Sequence, residues 1–256
     1  MNVNRKQIII ISMSSYDPHI SLIEYDSLLN TRDMGGMPIE GGRVFPYKVF
    51  VRSGTLSEVT DDAVKYLKEY GISTVIDLRS SAELKKYGNM AMGDPEIDFH
   101  NISLFLGDPD KSKDPTMVFL RTHYLGDFYV QILEELSDYV IKVLEVLADC
   151  KGCALFHCAH GKDRTGIIAA IIYLLAGASR EDIINNYAFS YENIKWFLDP
   201  LIETREECLK HTLRSDAVNM KIMLGHIDQN YNGDIREYLR RKGADMSMIQ
   251  RLCDKF

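Results

Sequence analysis

A cysteine and an arginine six residues apart, Cys158 and Arg164, lie in the segment His-Cys-Ala-His-Gly-Lys-Asp-Arg-Thr-Gly of residues 157–166. An apolar run precedes this segment and an apolar helical pattern follows it, which predicts a strand, a tight loop and a helix start. Backbone amides in such a loop lie at the positive end of the helix dipole and can bind a phosphate dianion. The same field favours the thiolate form of Cys158, which is the nucleophile. The spacing therefore predicts phosphate chemistry.

Each residue of the loop has an expected role if a phosphate monoester binds there. Cys158 attacks phosphorus, and Arg164 donates a planar pair of hydrogen bonds to the phosphate oxygens. Water then hydrolyses the phosphate bound to sulfur. Gly161 lets the backbone approach the anion. The phosphate-binding residues are expected to be Ala159, His160, Gly161, Lys162, Asp163, Arg164 and Thr165.

Three of the neighbouring side chains have more specific expected tasks. The Thr165 hydroxyl should donate to the Cys158 sulfur, which stabilises it as a leaving group. Lys162 should add a positive charge, and His157 could brace the loop. His160 could add charge at mildly acidic pH.

Other interpretations of the segment are weaker. A lone cysteine after an apolar run is usually an inert core residue, but here an arginine, two glycines and a threonine coincide with it. A Walker-type loop is excluded because Phe156, rather than glycine, stands five residues before Gly161. A zinc site would use Cys150 and Cys153 with the histidines of the loop, but the chain has no second Cys-x2-Cys pair. We therefore expect no metal and no cofactor.

The loop matches the signature His-Cys-x5-Arg-Ser/Thr of cysteine-dependent phosphatases. Its inner sequence, Gly-Lys-Asp-Arg-Thr-Gly, resembles a narrower family, the atypical tyrosine phosphatases of the mycobacterial PtpB and listerial LipA type. Three more blocks resemble that family: Asn-Thr-Arg-Asp-Met-Gly-Gly at 30–36, with Met for Leu, Arg-Ser-Gly-Thr-Leu-Ser at 52–57, and Asp-Leu-Arg-Ser-x-x-Glu at 77–83. The resemblance implies phosphatase activity on proteins and lipids and helices that can cover the site. From the blocks and the loop, the expected supporting residues are Asp33, Arg52, Asp77, Arg79 and His157.

The leaving oxygen needs a proton donor, and three aspartates are candidates. Asp127 lies about thirty residues before the cysteine, as the acid does in many relatives, but it falls inside a helical pattern. Asp163 lies in the loop, and Asp77 follows a strand that could end beside it. We expect Asp163 to be the general acid, with Asp77 second. An ion pair of Asp77 with Arg79 or Arg52 is an equally good expectation.

Composition fits an enzyme of one domain. The chain has 256 residues, 46% of them hydrophobic, and a net charge of −7, which argues against general nucleic-acid binding. No segment is long and apolar enough for stable membrane insertion, and the five cysteines fit reduced thiols. These features predict a cytoplasmic protein, although export by a route without a signal stays open. The oligomeric state is not determined by the sequence.

The hydrophobic pattern predicts an α/β fold with helices flanking a central sheet. The family resemblance implies a largely parallel sheet of the cysteine-phosphatase type and a helical lid after the loop helix, with ordinary packing of that region as the alternative. We expect Thr60 and Ser179 to cap helices and one long amphipathic helix to extend from Phe128 to Leu147. The expected domain covers residues 1–256, with a core at about 20–180 and 226–256 and a lid at about 185–225. The expected strands are 48–52, 73–78, 97–104 and 153–157.

The expected substrate is a phosphorylated protein, with phosphotyrosine first and phosphoserine or phosphothreonine behind it. Lys162 beside Arg164 resembles loops of lipid phosphatases, so a main role on phosphoinositides or inositol phosphates is an alternative. A phosphate-binding module without turnover is a third. A phosphotyrosine pocket also needs an aromatic wall, for which the candidates are Tyr47, Phe105, Phe128 and Tyr191.

Overall fold

The computed structural model describes residues 16–256, and a five-stranded sheet lies at its centre. Within this range the strands are β1 (Arg32–Asp33), β2 (Pro38–Ile39), β3 (Arg43–Val44), β4 (Phe50–Ser53), β5 (Ile72–Asp77), β6 (Asp98–Asn101) and β7 (Cys153–His157). The sheet has the order β1-β4-β7-β5-β6, and all neighbours are parallel except β1, which is antiparallel to β4. β2 and β3 form a separate antiparallel pair. The predicted α/β class with a largely parallel sheet is confirmed.

The helices pack on both faces of this sheet. Their bounds are α1 (Asp61–Tyr70), α2 (Ser81–Tyr87), α3 (Pro115–Phe119), α4 (Leu125–Glu135), α5 (Ser137–Asp149), α6 (Asp163–Leu175), α7 (Arg180–Thr204), α8 (Ala217–Asn230), α9 (Ile235–Arg241) and α10 (Met246–Cys253). Three short 3₁₀ segments occupy Pro18–Ser21, Glu40–Gly42 and Glu207–Leu213. Among residues 16–256, no helix combines the length and the apolar character needed to cross a bilayer.

The central strand β7 lies between β4 and β5, and its side chains are buried on both faces of the sheet. Side chains alternate along a strand, so Ala154 and Phe156 join the larger hydrophobic cluster while Cys153 and Leu155 join the smaller one on the α1 side. The helix α6 packs into the larger cluster and is buried over most of its surface. β7 and α6 thus hold the loop between them on a rigid base.

Two predicted helix starts are confirmed. The Thr60 side chain accepts a hydrogen bond from the Ala63 amide and caps α1, which ends at Gly71 in the left-handed conformation (φ 117°). The Ser179 side chain accepts from the Asp182 amide and caps α7.

The prediction of one long helix from Phe128 to Leu147 is wrong. The chain leaves helical geometry at Leu136 (φ −115°, ψ 23°), which separates α4 from α5. α4 packs mainly on α8, whereas α5 packs on α10. The apolar periodicity continues through the break because both helices face the core, so the pattern does not record the change of direction.

Residues 185–225, predicted as a lid, fall into two parts. Ile194, Leu198 and Leu213 form a small cluster of their own, and α7 is kinked at Ile194. α8 differs, because Met220, Met223 and Leu224 belong to the main core. Before α8, Ile194, Leu198 and Leu213 thus pack apart from the main core, whereas Tyr187 and Leu209 belong to it.

Candidate active site

The loop between β7 and α6 requires glycine at one position. Gly161 has a φ of 65°, and a Cβ there would lie 2.5 Å from the backbone carbon and oxygen of Ser53. A side chain would therefore push the loop away from β4. Cys158 stands at the carboxyl end of β7 and is 2% exposed.

The loop turns its carbonyl oxygens toward protein donors. The carbonyls of residues 159–161 accept, in order, from the Thr55 amide (3.0 Å), Asn30 Nδ2 (2.9 Å) and Arg52 Nη2 (2.9 Å). Within the described chain, the amides of residues 159–162 donate to no protein acceptor. Successive free amides beside paired carbonyls are the arrangement of donors that binds anions in concave loops of this kind.

Arg164 is held in place by a carboxylate. Its Nη1 and Nη2 donate to the two oxygens of Glu83 at 2.7 and 3.0 Å. Burial would lower the pKa of Arg164, but the charge of Glu83 raises it. Glu83 is fixed in turn by a capping box with Ser80 at the start of α2. The bidentate pair fixes the plane of the guanidinium group.

Lys162 does not supply the free positive charge that the sequence suggested. It is fully buried, and its Nζ donates to both oxygens of Asp163 at 2.8 Å and to the carbonyls of Thr212 (3.2 Å) and Arg214 (2.9 Å). The charge of Lys162 is therefore neutralised by Asp163. The hydrogen bonds of Lys162 to Thr212 and Arg214 connect the loop to the segment before α8.

The expected hydrogen bond from Thr165 to the Cys158 sulfur is absent. Thr165 is fully buried, and its Oγ1 has no hydrogen-bond partner among residues 16–256. The O–H group of Thr165 therefore donates to no acceptor among the described residues.

His157 braces the loop as predicted. Asn89 Nδ2 lies 2.8 Å from its Nε2, and its Nδ1 lies 3.0 Å from the Cys158 carbonyl oxygen. The Asn89 oxygen accepts from the Ala91 amide, so its NH₂ group faces the histidine and Nδ1 of His157 carries the proton. Burial lowers the pKa of His157, which agrees with a neutral ring.

Asp77 forms an ion pair with Arg79 and is not a proton donor. Arg79 Nη2 lies 2.6 Å from Asp77 Oδ2, and both side chains are buried. Burial would raise the pKa of Asp77, but the charge and hydrogen bonds of Arg79 and the hydrogen bond from Asn89 lower it to about 2. Arg79 also donates to Thr55 Oγ1, so it supports the loop indirectly.

Of the other aspartates that the sequence singled out, Asp163 lies in the loop, whereas Asp127 and Asp33 lie outside it. Asp163 is in the loop with a side chain 21% exposed, and Tyr129 Oη lies 2.5 Å from its Oδ1. Asp127 accepts from the Tyr124 amide at the start of α4, outside the loop. Asp33 accepts from the Lys48 amide and Tyr70 Oη, near the amino ends of β4 and β5. The structure therefore does not bring Asp33 to the site.

His160 does not fulfil the expectation of charge at mildly acidic pH. Burial and the nearby Lys162 lower its pKa to about 4. Its ring centroid lies 6.0 Å from that of Phe197 on α7.

One aromatic candidate contacts the reactive region. Phe105 lies under Arg164, with 5.8 Å between the guanidinium carbon and the ring centroid, and packs edge-on against Phe128. Tyr47 instead packs against Gly35 and Gly36. The Tyr191 hydroxyl donates a hydrogen bond to the Asp199 carboxylate.

The proposed zinc ligands are not assembled. Cys150 Sγ donates to the Leu147 carbonyl, and Cys153 opens β7 at the end opposite His157. No group of three or more His, Cys, Asp or Glu side chains in the described range could hold a metal ion. All five cysteines are free thiols.

Three residues of this site were not predicted as site residues from the sequence. Glu83 carried a signal, because Ser80-x-x-Glu83 is a capping box inside a matching block. Asn30 stands in another block but is 130 residues from the carbonyl that it binds. Tyr129 carried no signal, since it fits an ordinary buried position of an amphipathic helix.

Comparison with known proteins agrees with this geometry. The sequence profile described as "Tyrosine phosphatase family" matches residues 23–256. A tyrosine-protein phosphatase of Nostoc commune is 35% identical over 146 residues, which are 57% of this chain and 49% of that protein. The chain thus spans about half the length of that relative.

Other relatives are covered more fully. The triple specificity protein phosphatase PtpB of Mycobacterium tuberculosis is 26% identical over 87% of this chain and 94% of its own. A putative tyrosine-protein phosphatase of Cupriavidus necator is 27% identical over 75% of this chain and 78% of its own. The crystal structure of P. aeruginosa TpbA matches with a TM-score of 0.44 and 13% identity, covering 87% of this chain and 95% of TpbA. The resemblance inferred from the four sequence blocks is confirmed, and the chain belongs to the tyrosine phosphatase family.

Proposed function

We propose that the protein hydrolyses phosphotyrosine through a cysteinyl-phosphate intermediate. The observation that carries the proposal is the loop of residues 158–164, in which the carbonyls of residues 159–161 are paired while the amides of residues 159–162 have no acceptor among the described residues. Cys158 lies at the base of this loop, and Arg164 is held by Glu83. The loop itself supplies the electrostatic stabilisation that a transferring phosphoryl group needs.

The reaction has two steps. The Cys158 thiolate attacks phosphorus, the bond from phosphorus to the ester oxygen breaks, and the leaving phenolate takes a proton from the general acid. Water then attacks phosphorus, the phosphorus–sulfur bond breaks, and inorganic phosphate and the thiolate are released. Arg164 and the free amides bind the phosphoryl oxygens in both steps.

Asp163 remains our candidate for the general acid. Both carboxylates are paired with a cation, Asp163 with Lys162 and Asp77 with Arg79, but Asp163 is partly exposed beside the loop whereas Asp77 is fully buried. Lys162 and Tyr129 fix the position of the Asp163 carboxyl group. The same group can accept a proton from the attacking water in the second step.

The substrate preference follows from the surroundings of Arg164. Phe105 offers an aromatic surface next to the guanidinium group, which suits a phenyl ring. The charge of Lys162 is already paired with Asp163, which gives less support to substrates with several phosphates. Phosphoserine, phosphothreonine and phosphoinositides are second candidates, because the relative PtpB is named a triple specificity phosphatase.

We also propose that the segment before α8 covers the loop. Lys162 binds the carbonyls of Thr212 and Arg214, and Phe197 faces His160. A cover of this kind would limit the access of water and oxidants to the thiolate.

The test is hydrolysis of p-nitrophenyl phosphate, of phosphotyrosine, phosphoserine and phosphothreonine peptides, and of phosphoinositide micelles, with chelator present. We expect Cys158→Ser to lower turnover by at least about 10⁴-fold while phosphate still binds, because the nucleophile is lost. Arg164→Ala should lose both turnover and binding. The matched control, Cys253→Ser, removes a partly exposed thiol on α10, outside the loop and its proposed cover, and should retain activity.

Unchanged hydrolysis by Cys158→Ser would contradict the mechanism. Phosphate binding by the native protein without turnover of any substrate would identify a binding module instead. Faster hydrolysis of phosphoinositides than of phosphotyrosine peptide would make lipid the main substrate.

A further inference from the structure

Two arginine side chains lie beneath the loop without a carboxylate partner. Arg32 on β1 and Arg52 on β4 face each other in the sheet register and are 0% and 1% exposed. Neither forms a salt bridge within the described residues, and residues 1–15 contain no Asp or Glu. We call these two residues the buried arginine pair.

The hydrogen bonds of the buried arginine pair go to neutral acceptors. Arg32 donates to Asn30 Oδ1 (2.6 Å), the Asn186 carbonyl (3.0 Å) and Ser190 Oγ (2.8 Å). Arg52 donates to Asn186 Oδ1 (2.6 Å) and the Gly161 carbonyl (2.9 Å). The Nε of each arginine has no partner in the part of the chain that the structure describes.

Burying two adjacent cations is unfavourable unless a negative charge lies nearby. Burial and the charge of Arg52 lower the pKa of Arg32, and burial lowers the pKa of Arg52. An arginine nevertheless stays protonated at neutral pH. Two positive charges thus remain beneath the loop.

The position of Arg52 indicates which anion balances them. Its Nη2 binds the Gly161 carbonyl and would lie 3.7 Å from a Cβ at Gly166, in the first turn of α6. The positive end of the α6 dipole adds to the same field. The other cations of the loop, Lys162 and Arg164, already have carboxylate partners. The remaining negative charges are the Cys158 thiolate and the phosphoryl group of a substrate.

We propose that the buried arginine pair is a positioning element whose charge is balanced by the Cys158 thiolate and the bound phosphoryl group. Arg52 orients the loop through the Gly161 carbonyl and supplies positive charge behind it, and Arg32 reinforces both effects through Asn186 and Ser190. The inference rests on the proposed function and extends it to residues that do not touch the substrate.

The test separates charge from shape with three variants. Arg52→Met removes charge and donors, Arg52→Gln keeps donors without charge, and Arg52→Lys keeps the charge. Two quantities are measured on each folded variant: the rate of Cys158 alkylation by iodoacetamide at pH 6, and the inhibition constant of inorganic phosphate. Arg43→Gln removes one exposed arginine far from the loop and serves as the control for net charge.

We expect Arg52→Met and Arg52→Gln to slow alkylation and weaken phosphate inhibition by about tenfold, the scale of a nearby buried charge. Arg52→Lys should stay within about threefold of the native protein, as should Arg43→Gln. If Arg52→Gln matches the native protein, or Arg52→Lys loses as much as Arg52→Met, the charge role is wrong. If the Arg52 variants do not fold, Arg32→Gln and Arg32→Lys give the same comparison with smaller effects.

These measurements also distinguish the two proposals. Hydrolysis that survives Cys158→Ser would overturn the proposed function. Loss of hydrolysis in Cys158→Ser, combined with a native alkylation rate in Arg52→Gln, would overturn only the role of the buried arginine pair.

Discussion

Two sets of cations surround the loop, and they differ in how their charge is balanced. Arg79, Lys162 and Arg164 each have a carboxylate oxygen within 2.6–2.8 Å, from Asp77, Asp163 and Glu83. We call them the paired cations. Arg32 and Arg52 have only neutral acceptors.

The difference in charge balance indicates that the two sets of cations have different roles in the site. A carboxylate cancels the charge of a cation but fixes its direction, so the paired cations provide geometry. A cation without a partner keeps its field, so the buried arginine pair provides charge. Breaking a paired cation should therefore disturb stability or orientation, and the following variants test each pair in turn.

The largest effect should come from Asp77→Asn. It leaves the Arg79 guanidinium buried without its counter-ion, which should lower the free energy of unfolding by about 3 kcal/mol at pH 7. Burial would raise the pKa of Asp77, but Arg79 and the hydrogen bond from Asn89 lower it to about 2, below the ordinary value of 3.8. The contribution of Asp77 is therefore complete above that ordinary value and is lost as pH falls toward 2.

Urea unfolding of the native protein and Asp77→Asn from pH 7 to pH 3 measures this difference. It should be constant near neutrality and shrink in the acid range. Asp110→Asn is the control, because its partner Lys86 is exposed and the pair should contribute less than about 1 kcal/mol. Equal stability losses in the two variants would show that the Asp77 pair does not support the site as a buried pair should.

The next largest effect should come from Glu83→Gln. Glutamine can keep the capping box of α2 but cannot hold Arg164 as a charged bidentate partner. A misdirected guanidinium group should lower kcat/KM by about 100-fold, in addition to the stability lost when Arg164 is left without its counter-ion.

Steady-state kinetics on a phosphotyrosine peptide tests this prediction against Ser80→Ala. That control removes the capping hydroxyl, should cost about 1 kcal/mol of stability, and leaves the Glu83 carboxylate in place. Similar kinetic losses in both variants would assign the effect to α2 rather than to the direction of Arg164.

The sequence predicted those parts of the site that depend on local structure. The Cys158 to Arg164 spacing, the glycine at 161 and the strand and helix on either side are all determined within a short segment. The caps at Thr60 and Ser179 are local in the same sense. The predicted strand, helix and caps are confirmed because the interactions involved join residues close in the chain.

The charge state of the site could not be predicted in this way. Two of the hydrogen bonds of the Lys162 ammonium group go to the carbonyls of Thr212 and Arg214, some fifty residues away. Asn30 binds a loop carbonyl that is 130 residues away in the sequence. The buried arginine pair becomes visible only when the sheet register places Arg32 opposite Arg52. The pairs of Asp77 with Arg79 and of Lys162 with Asp163 are local, but the pair of Arg164 with Glu83 and the isolation of the two buried arginines depend on tertiary contacts.

The smallest effect should come from Tyr129→Phe, which weakens the support of one paired cation. Tyr129 Oη lies 2.5 Å from Asp163 Oδ1 and 2.6 Å from Tyr187 Oη. Without this hydroxyl, Lys162 alone orients the Asp163 carboxyl group. If Asp163 is the general acid, kcat should fall by about three- to tenfold for phenyl phosphate, which is the scale of one typical hydrogen bond.

The leaving group decides whether Tyr129 acts through proton transfer. p-Nitrophenolate is a better leaving group than phenolate and needs less protonation, so Tyr129→Phe should affect p-nitrophenyl phosphate less than phenyl phosphate. Tyr238→Phe is the matched control, because it removes another buried hydroxyl that is bonded to the Leu133 carbonyl. Equal losses of kcat on both substrates in Tyr129→Phe would mean that Asp163 fixes Lys162 without donating the proton. The pair would then serve geometry alone, as the pairing of Arg79 with Asp77 does.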